Sequence, residues 1–212
     1  MFEITGQVPF LWRISAESSD GFCSVSMVVP CPPDTRYEDF TIETSVLSMP
    51  SDNSRSKKEE TLEWNREDID LFLRLINQQR FRSNQPPEDT VRVDLSDPDI
   101  VDIINIVAAA GFGMTFASSG LLNHPDGSYP VHEFDVGSLA SLNTVIGFKP
   151  CIVVDVEDDN VVCVLLEDID VDSKQHELEH LSRHDLLLVN RRDILHPEFA
   201  EKQERPSSSI LH

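Results

Sequence analysis

Apolar residues fall first into short β-forming runs and then, after Asn65, into helical spacing. Phe10 to Ser15 and Cys23 to Val29 flank Ser18-Ser19-Asp20-Gly21, a hairpin connection, and Phe40 to Leu47 reads as a third strand. Pro30, Pro32 and Pro33 stop the second strand, and residues 48–60 (SMPSDNSRSKKEE) have no apolar periodicity and read as an exposed loop. Asn65 then caps a helix with Asp68 three residues on, and Ile69, Phe72, Leu73 and Ile76 share one face ahead of Arg80 and Arg82. Val91, Val93 and Leu95 form a short strand. Ser96 or Asp97 with Pro98 opens a second helix whose core positions are Ile100, Ile103, Ile104 and Val107 and whose stop is Gly111. Gly113 to Ala117 is expected to close a strand–helix–strand unit of parallel sense.

Beyond this point the pattern changes. Asn123 to Gly127 is a turn, Val131 to Val136 a short strand, and Gly137 to Asn143 a helical turn or an interdomain connection. Ile152 to Val156 and Val161 to Leu166 form a hairpin with an acidic tip, and Glu177 to Leu181 and Leu186 to Val189 add strands around Ser182-Arg183-His184-Asp185. Residues 144–195 thus resemble, in architecture alone, a small curled barrel of the SH3 or Tudor type. The fold expected is α+β: a mixed sheet with two helices over 1–120, a connection over 121–143, an SH3/Tudor-like β-barrel over 144–195 and a mobile polar tail over 196–212.

Charge sharpens this outline. The 212 residues hold 38 acids and 17 bases, a net charge of −21, of which −14 falls within residues 93–172. Such a balance opposes phosphate backbones and anionic membrane surfaces, so the partner expected is a protein with a basic surface, with no direct nucleic acid and no membrane. The cationic cluster Arg55, Lys57, Lys58, Arg74, Arg80 and Arg82 is matched by local acids. No apolar run is long enough to span a bilayer, and Met1 to Glu17 lacks the form of a secretory signal. The four cysteines include no C-x-x-C pair, which suits reduced thiols in a cytoplasmic or nuclear protein.

Two motifs suggest metals. His176-Glu177-Leu178-Glu179-His180 matches H-E-x-x-H, and resemblance to the zincins implies His176 and His180 as zinc ligands, Glu177 as general base and His184 as a further ligand. Lys174, Gln175 and Glu179 make that segment too polar for a buried zincin helix, and the glycine of the extended motif is absent. Asp168, Asp170, Asp172 and Glu179 occupy calcium-loop positions, but Ser173 stands where the loop needs glycine. No nucleophile elbow, phosphate loop or dinucleotide fingerprint is present, and residues 144–195 hold one aromatic, Phe148, too few for a cation cage.

The reading this supports is a non-enzymatic adaptor, regulatory or inhibitor-type protein with no cofactor. It presents Asp155, Glu157, Asp158, Asp159, Asp168, Asp170 and Asp172 to a basic partner. Its alternatives are a zinc-dependent hydrolase using the HELEH motif and an acidic immunity or nucleic-acid-mimic protein.

Overall fold

The computed structural model describes residues 2–4, 10–31, 39–50, 58–82, 91–117, 120–123, 133–170 and 180–204. The chain divides into two compact units, Met1–Met114 and Thr115–His212. Both are β-rich, and the fold is mixed α+β.

In the first unit, strands β1 (Phe2–Ile4), β2 (Leu11–Ile14), β3 (Cys23–Val29), β4 (Phe40–Ser48) and β5 (Glu60–Glu63) precede helix α1 (Arg66–Arg82), strand β6 (Val91–Val93) and helix α2 (Pro98–Phe112). The main sheet is antiparallel in the order β4-β3-β2-β5, and β1 pairs with β6 in a separate antiparallel ribbon. Trp12 lies opposite Met27 and Leu62, and Met27 opposite Ile42, so these side chains share the face that meets the helices. Phe10, Trp12, Trp64 and Phe72 are all buried there. Trp12 and Trp64 stack at 4.9 Å between centroids, and Phe72 meets Trp64 edge-on at 5.4 Å, the geometries that aromatic quadrupoles favour.

Both helix starts follow their sequence signals. The Asp68 N–H donates to Asn65 Oδ1 at 2.8 Å and the Asn65 N–H donates to Asp68 Oδ2 at 2.9 Å, a reciprocal box. Trp12 Nε1 donates to the same Oδ2 at 3.1 Å, which draws Asp68 into the core. The buried stripe of α1 is therefore Asp68, Leu71, Phe72, Leu75 and Ile76, with Ile69 and Leu73 only half-buried at its margin. Asp97 accepts from the Asp99 N–H at the start of α2, and the helix runs past Gly111 to Phe112, where the Gly113 N–H returns to Ala109 O at 2.8 Å. Asn105 locks α2 to β4, its Oδ1 accepting from the Ser45 N–H at 2.7 Å.

The second unit contains β7 (Thr115–Ala117), β8 (Leu139–Thr144), β9 (Gly147–Glu157), β10 (Asn160–Leu165), β11 (Ile169–Asp170), β12 (His180–Leu181), β13 (Leu186–Asn190), a 3₁₀ turn at Arg191–Asp193, β14 (Ile194–Leu195) and α3 (Glu198–Glu204). Six strands form one sheet in the order β14-β8-β9-β10-β13-β7, with only the β13–β7 pair parallel. A two-stranded ribbon, β11–β12, stands beside it. The core is aliphatic and fully buried at Leu142, Cys151, Val153, Cys163, Leu165 and Leu187.

Several expectations change. No closed barrel forms among the described residues: the sheet is open, with β7 and β14 as its edges. Gly137 to Asn143 is neither helix nor connection, since β8 pairs along β9 with Ala140 and Leu142 buried. The parallel strand–helix–strand unit is absent, because β6 pairs with β1 while β7 joins β13 in the second unit. The division falls at 114/115, ahead of the 121–143 stretch, where Leu121 and Leu122 belong to the second core. Residues 60–63 are a strand, 133–136 are not, and 131–132 lie outside the described residues. The segment after His196 continues as α3, held by Ser141 Oγ, which donates to Pro197 O and accepts from the Ala200 N–H, both at 3.1 Å.

Candidate functional site

The residues singled out from sequence occupy two places on the second unit. The first is the β9–β10 hairpin. Glu157 pairs with Asn160 across a two-residue loop in which Asp158 adopts φ 41°, a left-handed position that aspartate tolerates better than most residues. A bulge opposite Val162 and Cys163 skips Val154, so Asp155 and Glu157 point outward while Val156 packs on the core. Asp155, Glu157, Asp158 and Asp159 are all exposed. None of the four lies within ion-pair distance of a lysine, arginine or histidine side chain among the described residues. Arg191 comes alongside through its backbone, its N–H donating to Asp159 O at 2.8 Å.

The second place is the β11–β12 ribbon and the turn after it. Asp170 faces His180 across the ribbon, and His180 Nδ1 donates to Asp170 Oδ1 at 2.6 Å. His180 Nε2 shares a hydrogen bond with Ser182 Oγ at 3.1 Å. Asp168 Oδ1 accepts from the Arg183 N–H and Asp185 Oδ2 from the Ser182 N–H, both at 2.7 Å. The Asp170 hydrogen bond raises the titration of His180 and outweighs the desolvation that lowers it, and the charges of Asp170, Asp168 and Asp185 add lesser upward contributions. Burial pushes the Asp185 carboxyl up, partly offset by the Ser182 N–H. Ser182 and Asp185 were legible only as parts of a turn; their proximity to His180 depends on the ribbon register.

These contacts reproduce the Ser–His–Asp order of a hydrolytic triad, but the surrounding charges are wrong for it. A serine nucleophile needs free backbone N–H groups to receive the developing oxyanion. Here the N–H groups of Ser182 and Arg183 are both bound to carboxylates, so negative charge already stands where the oxyanion would form. Asp170 and His180 are also 82% and 54% exposed, which leaves the cluster in water.

The hairpin acids and the ribbon acids lie at opposite ends of β10, whose span from Asn160 to Leu165 is about 17 Å at strand rise. Asp172 lies outside the described residues, as do His176, Glu177 and Glu179. Of the HELEH motif only His180 is described; it opens the strand His180–Leu181, and His184 sits in the following turn with φ 75°. Among the described residues, no group of three or more His, Cys, Asp or Glu side chains is placed to hold a metal ion. No described helix is long and apolar enough to cross a membrane.

The first unit offers a cavity of about 230 Å³ bounded by Ile14, Cys23, Met49, Leu62 and Phe112, with Lys58 and Glu60 on its wall. The hydroxyls of Ser15 and Ser48, which also line it, donate to the neighbouring Ala16 and Met49 carbonyls. No protein-family model and no curated protein sequence matches the chain.

Proposed function

We propose that the protein is a non-enzymatic interaction module that docks on a basic protein surface through the β9–β10 hairpin. The observation that carries this reading is the set of exposed carboxylates of Asp155, Glu157, Asp158 and Asp159, without ion pairs among the described residues, on a hairpin anchored by the central strands. Such a cluster accelerates encounter with a cationic surface and selects against acidic ones, more than it adds affinity. An inhibitor that occupies a basic cleft would use the same electrostatics. Asp168 and Asp170 lie at the other end of β10 and already hold the Arg183 N–H and His180, so the reading rests on the hairpin acids.

The test compares the native chain with Asp155→Asn/Glu157→Gln/Asp158→Gly/Asp159→Asn as baits at low and high ionic strength. Glycine suits the left-handed position of residue 158, so the variant removes charge without opposing the turn. Partners captured by the native bait at low salt, and lost both at high salt and with the variant, support the hairpin as the docking element. Capture of the same partners by both baits at both ionic strengths rules it out.

A further inference from the structure

We propose that Asp170, His180 and Ser182 form a pH-responsive clasp: while the imidazolium is charged it fastens the β11–β12 ribbon and the 182–185 turn, and as pH rises and the charge is lost the clasp slackens. Among the described residues the ribbon has two pairs, Ile169 with Leu181 and Asp170 with His180. The first is apolar and buried, fixing one face in the core of the unit. The second is on the outer face, where the 2.6 Å Asp170–His180 bond is the cross-strand contact. One of these two described pairs therefore changes its electrostatics with a single proton.

The neighbouring groups reinforce that proton. Among the described residues, the charged groups near His180 besides Asp170 are Asp168 before β11 and Asp185 in the turn, with Arg183 and His184 between His180 and Asp185 in the chain. The turn is tied by the Arg183 N–H to Asp168 and by the Ser182 N–H to Asp185, which gathers carboxylates on the imidazolium side. Losing the His180 charge leaves Asp168, Asp170 and Asp185 repelling one another with less compensation. Ser182 follows the change without moving: its hydroxyl accepts from Nε2–H when His180 is charged and donates to Nε2 when it is neutral. The electrostatic response thus resides in Asp170 and His180, and Ser182 keeps the ring in place in both states.

The direction follows from His180 being raised by its partner. Its contribution is complete below the ordinary histidine value near ~6.5 and is lost as pH rises through its own higher value. At the acid end it is lost again when Asp170 protonates. Because the pair is exposed, solvent limits the response to roughly fivefold or less in local opening.

The experiment uses the full chain and two readouts: the NMR titration of the His180 ring, and amide-exchange protection across the ribbon as a function of pH, referenced to Val153 and Cys163 in the main sheet. The native chain should show His180 titrating above the ordinary value, with ribbon protection falling up to about fivefold as the ring deprotonates. Asp170→Asn should return the titration toward the ordinary value, and His180→Gln should remove the pH response while leaving the Val153 and Cys163 reference intact. Ser182→Ala should retain the response. The proposal is overturned if His180 titrates at the ordinary value, if ribbon protection in His180→Gln tracks pH as it does in the native chain, or if Ser182→Ala abolishes the response as fully as Asp170→Asn.

Discussion

Residues 1–114 and 115–212 carry almost the same net charge, −10 from 20 acids and 10 bases and −11 from 18 acids and 7 bases. Their carboxylates are used differently. In the first unit Asp68 is buried and its Oδ2 accepts from both Trp12 and the Asn65 backbone, joining a helix cap to an aromatic core. Asp97 and Asp99 occupy the start of α2, where the helix dipole favours negative charge. In the second unit the hairpin acids are exposed and bind no cation among the described residues. Equal charge therefore says little about role; the environment of each carboxylate decides it. The −14 stretch of residues 93–172 is divided between the units, beginning in β6 and α2 of the first and running past β11 of the second.

The largest effect should come from the buried member of this comparison. Asp68→Ala removes a reciprocal cap and leaves the Trp12 indole N–H without its acceptor, which together should cost about 2 to 4 kcal/mol in chemical denaturation. A loss below about 0.5 kcal/mol, the scale of an ordinary surface change, would erase the distinction between the two kinds of carboxylate. Charge and geometry can then be separated by pH. Burial raises the Asp68 carboxyl above the ordinary range, outweighing the hydrogen bonds from Asn65 and Trp12 that lower it. A raised carboxyl contributes stability that is full below its unfolded value and lost as pH rises through its folded one. The amide of Asp68→Asn keeps one acceptor and never ionises. Its stability relative to the native chain should therefore climb as pH rises through that interval, measured by urea midpoints. A difference that is constant with pH would show that Asp68 does not titrate above the ordinary range.

Asp185 is the intermediate case and sharpens the comparison from the second unit. It is half-buried, raised chiefly by burial, and holds the Ser182 N–H at 2.7 Å. Asp185→Ala should cost about 1 kcal/mol, the scale of one turn hydrogen bond, with the loss of protection concentrated at Ser182 and Arg183. An effect as large as that of Asp68→Ala would mean that the turn supports the whole unit.

The sequence signals that held are the local ones. Asn65 with Asp68, and Asp97 with Pro98, mark helix starts because cap chemistry is complete within a few residues. The 23–29 strand and the acidic hairpin were legible because β-branched runs and a polar tip lie next to one another in the chain. The elements that were misread depend on distant partners. Residues 139–144, LASLNT, contain a single β-branched residue, and become a strand because β9 and β14 flank them and the core buries Ala140 and Leu142. Thr115–Ala117 joins β13 from about seventy residues along the chain, a pairing that no local pattern encodes. The candidate site divides in the same way: the hairpin acids are adjacent in sequence, whereas the Asp170–His180 contact exists only through strand register.

The smallest expected effect on stability is also the most informative about function. Among the described residues, neutralising Asp155, Glu157, Asp158 and Asp159 removes no ion pair, and only Asp155 makes a side-chain hydrogen bond, to the adjacent Val156 N–H at 2.8 Å. The combined variant should fall within about 0.5 kcal/mol of the native chain, and any gain should be greatest at low salt, where repulsion among the four acids is least screened. A destabilisation of about 2 kcal/mol or more would place these carboxylates with Asp68, as groups the fold requires, and would remove the reason for assigning them to a partner. If stability is unchanged while salt-sensitive capture is lost, the same substitutions separate folding from docking, and the hairpin's charge belongs to recognition.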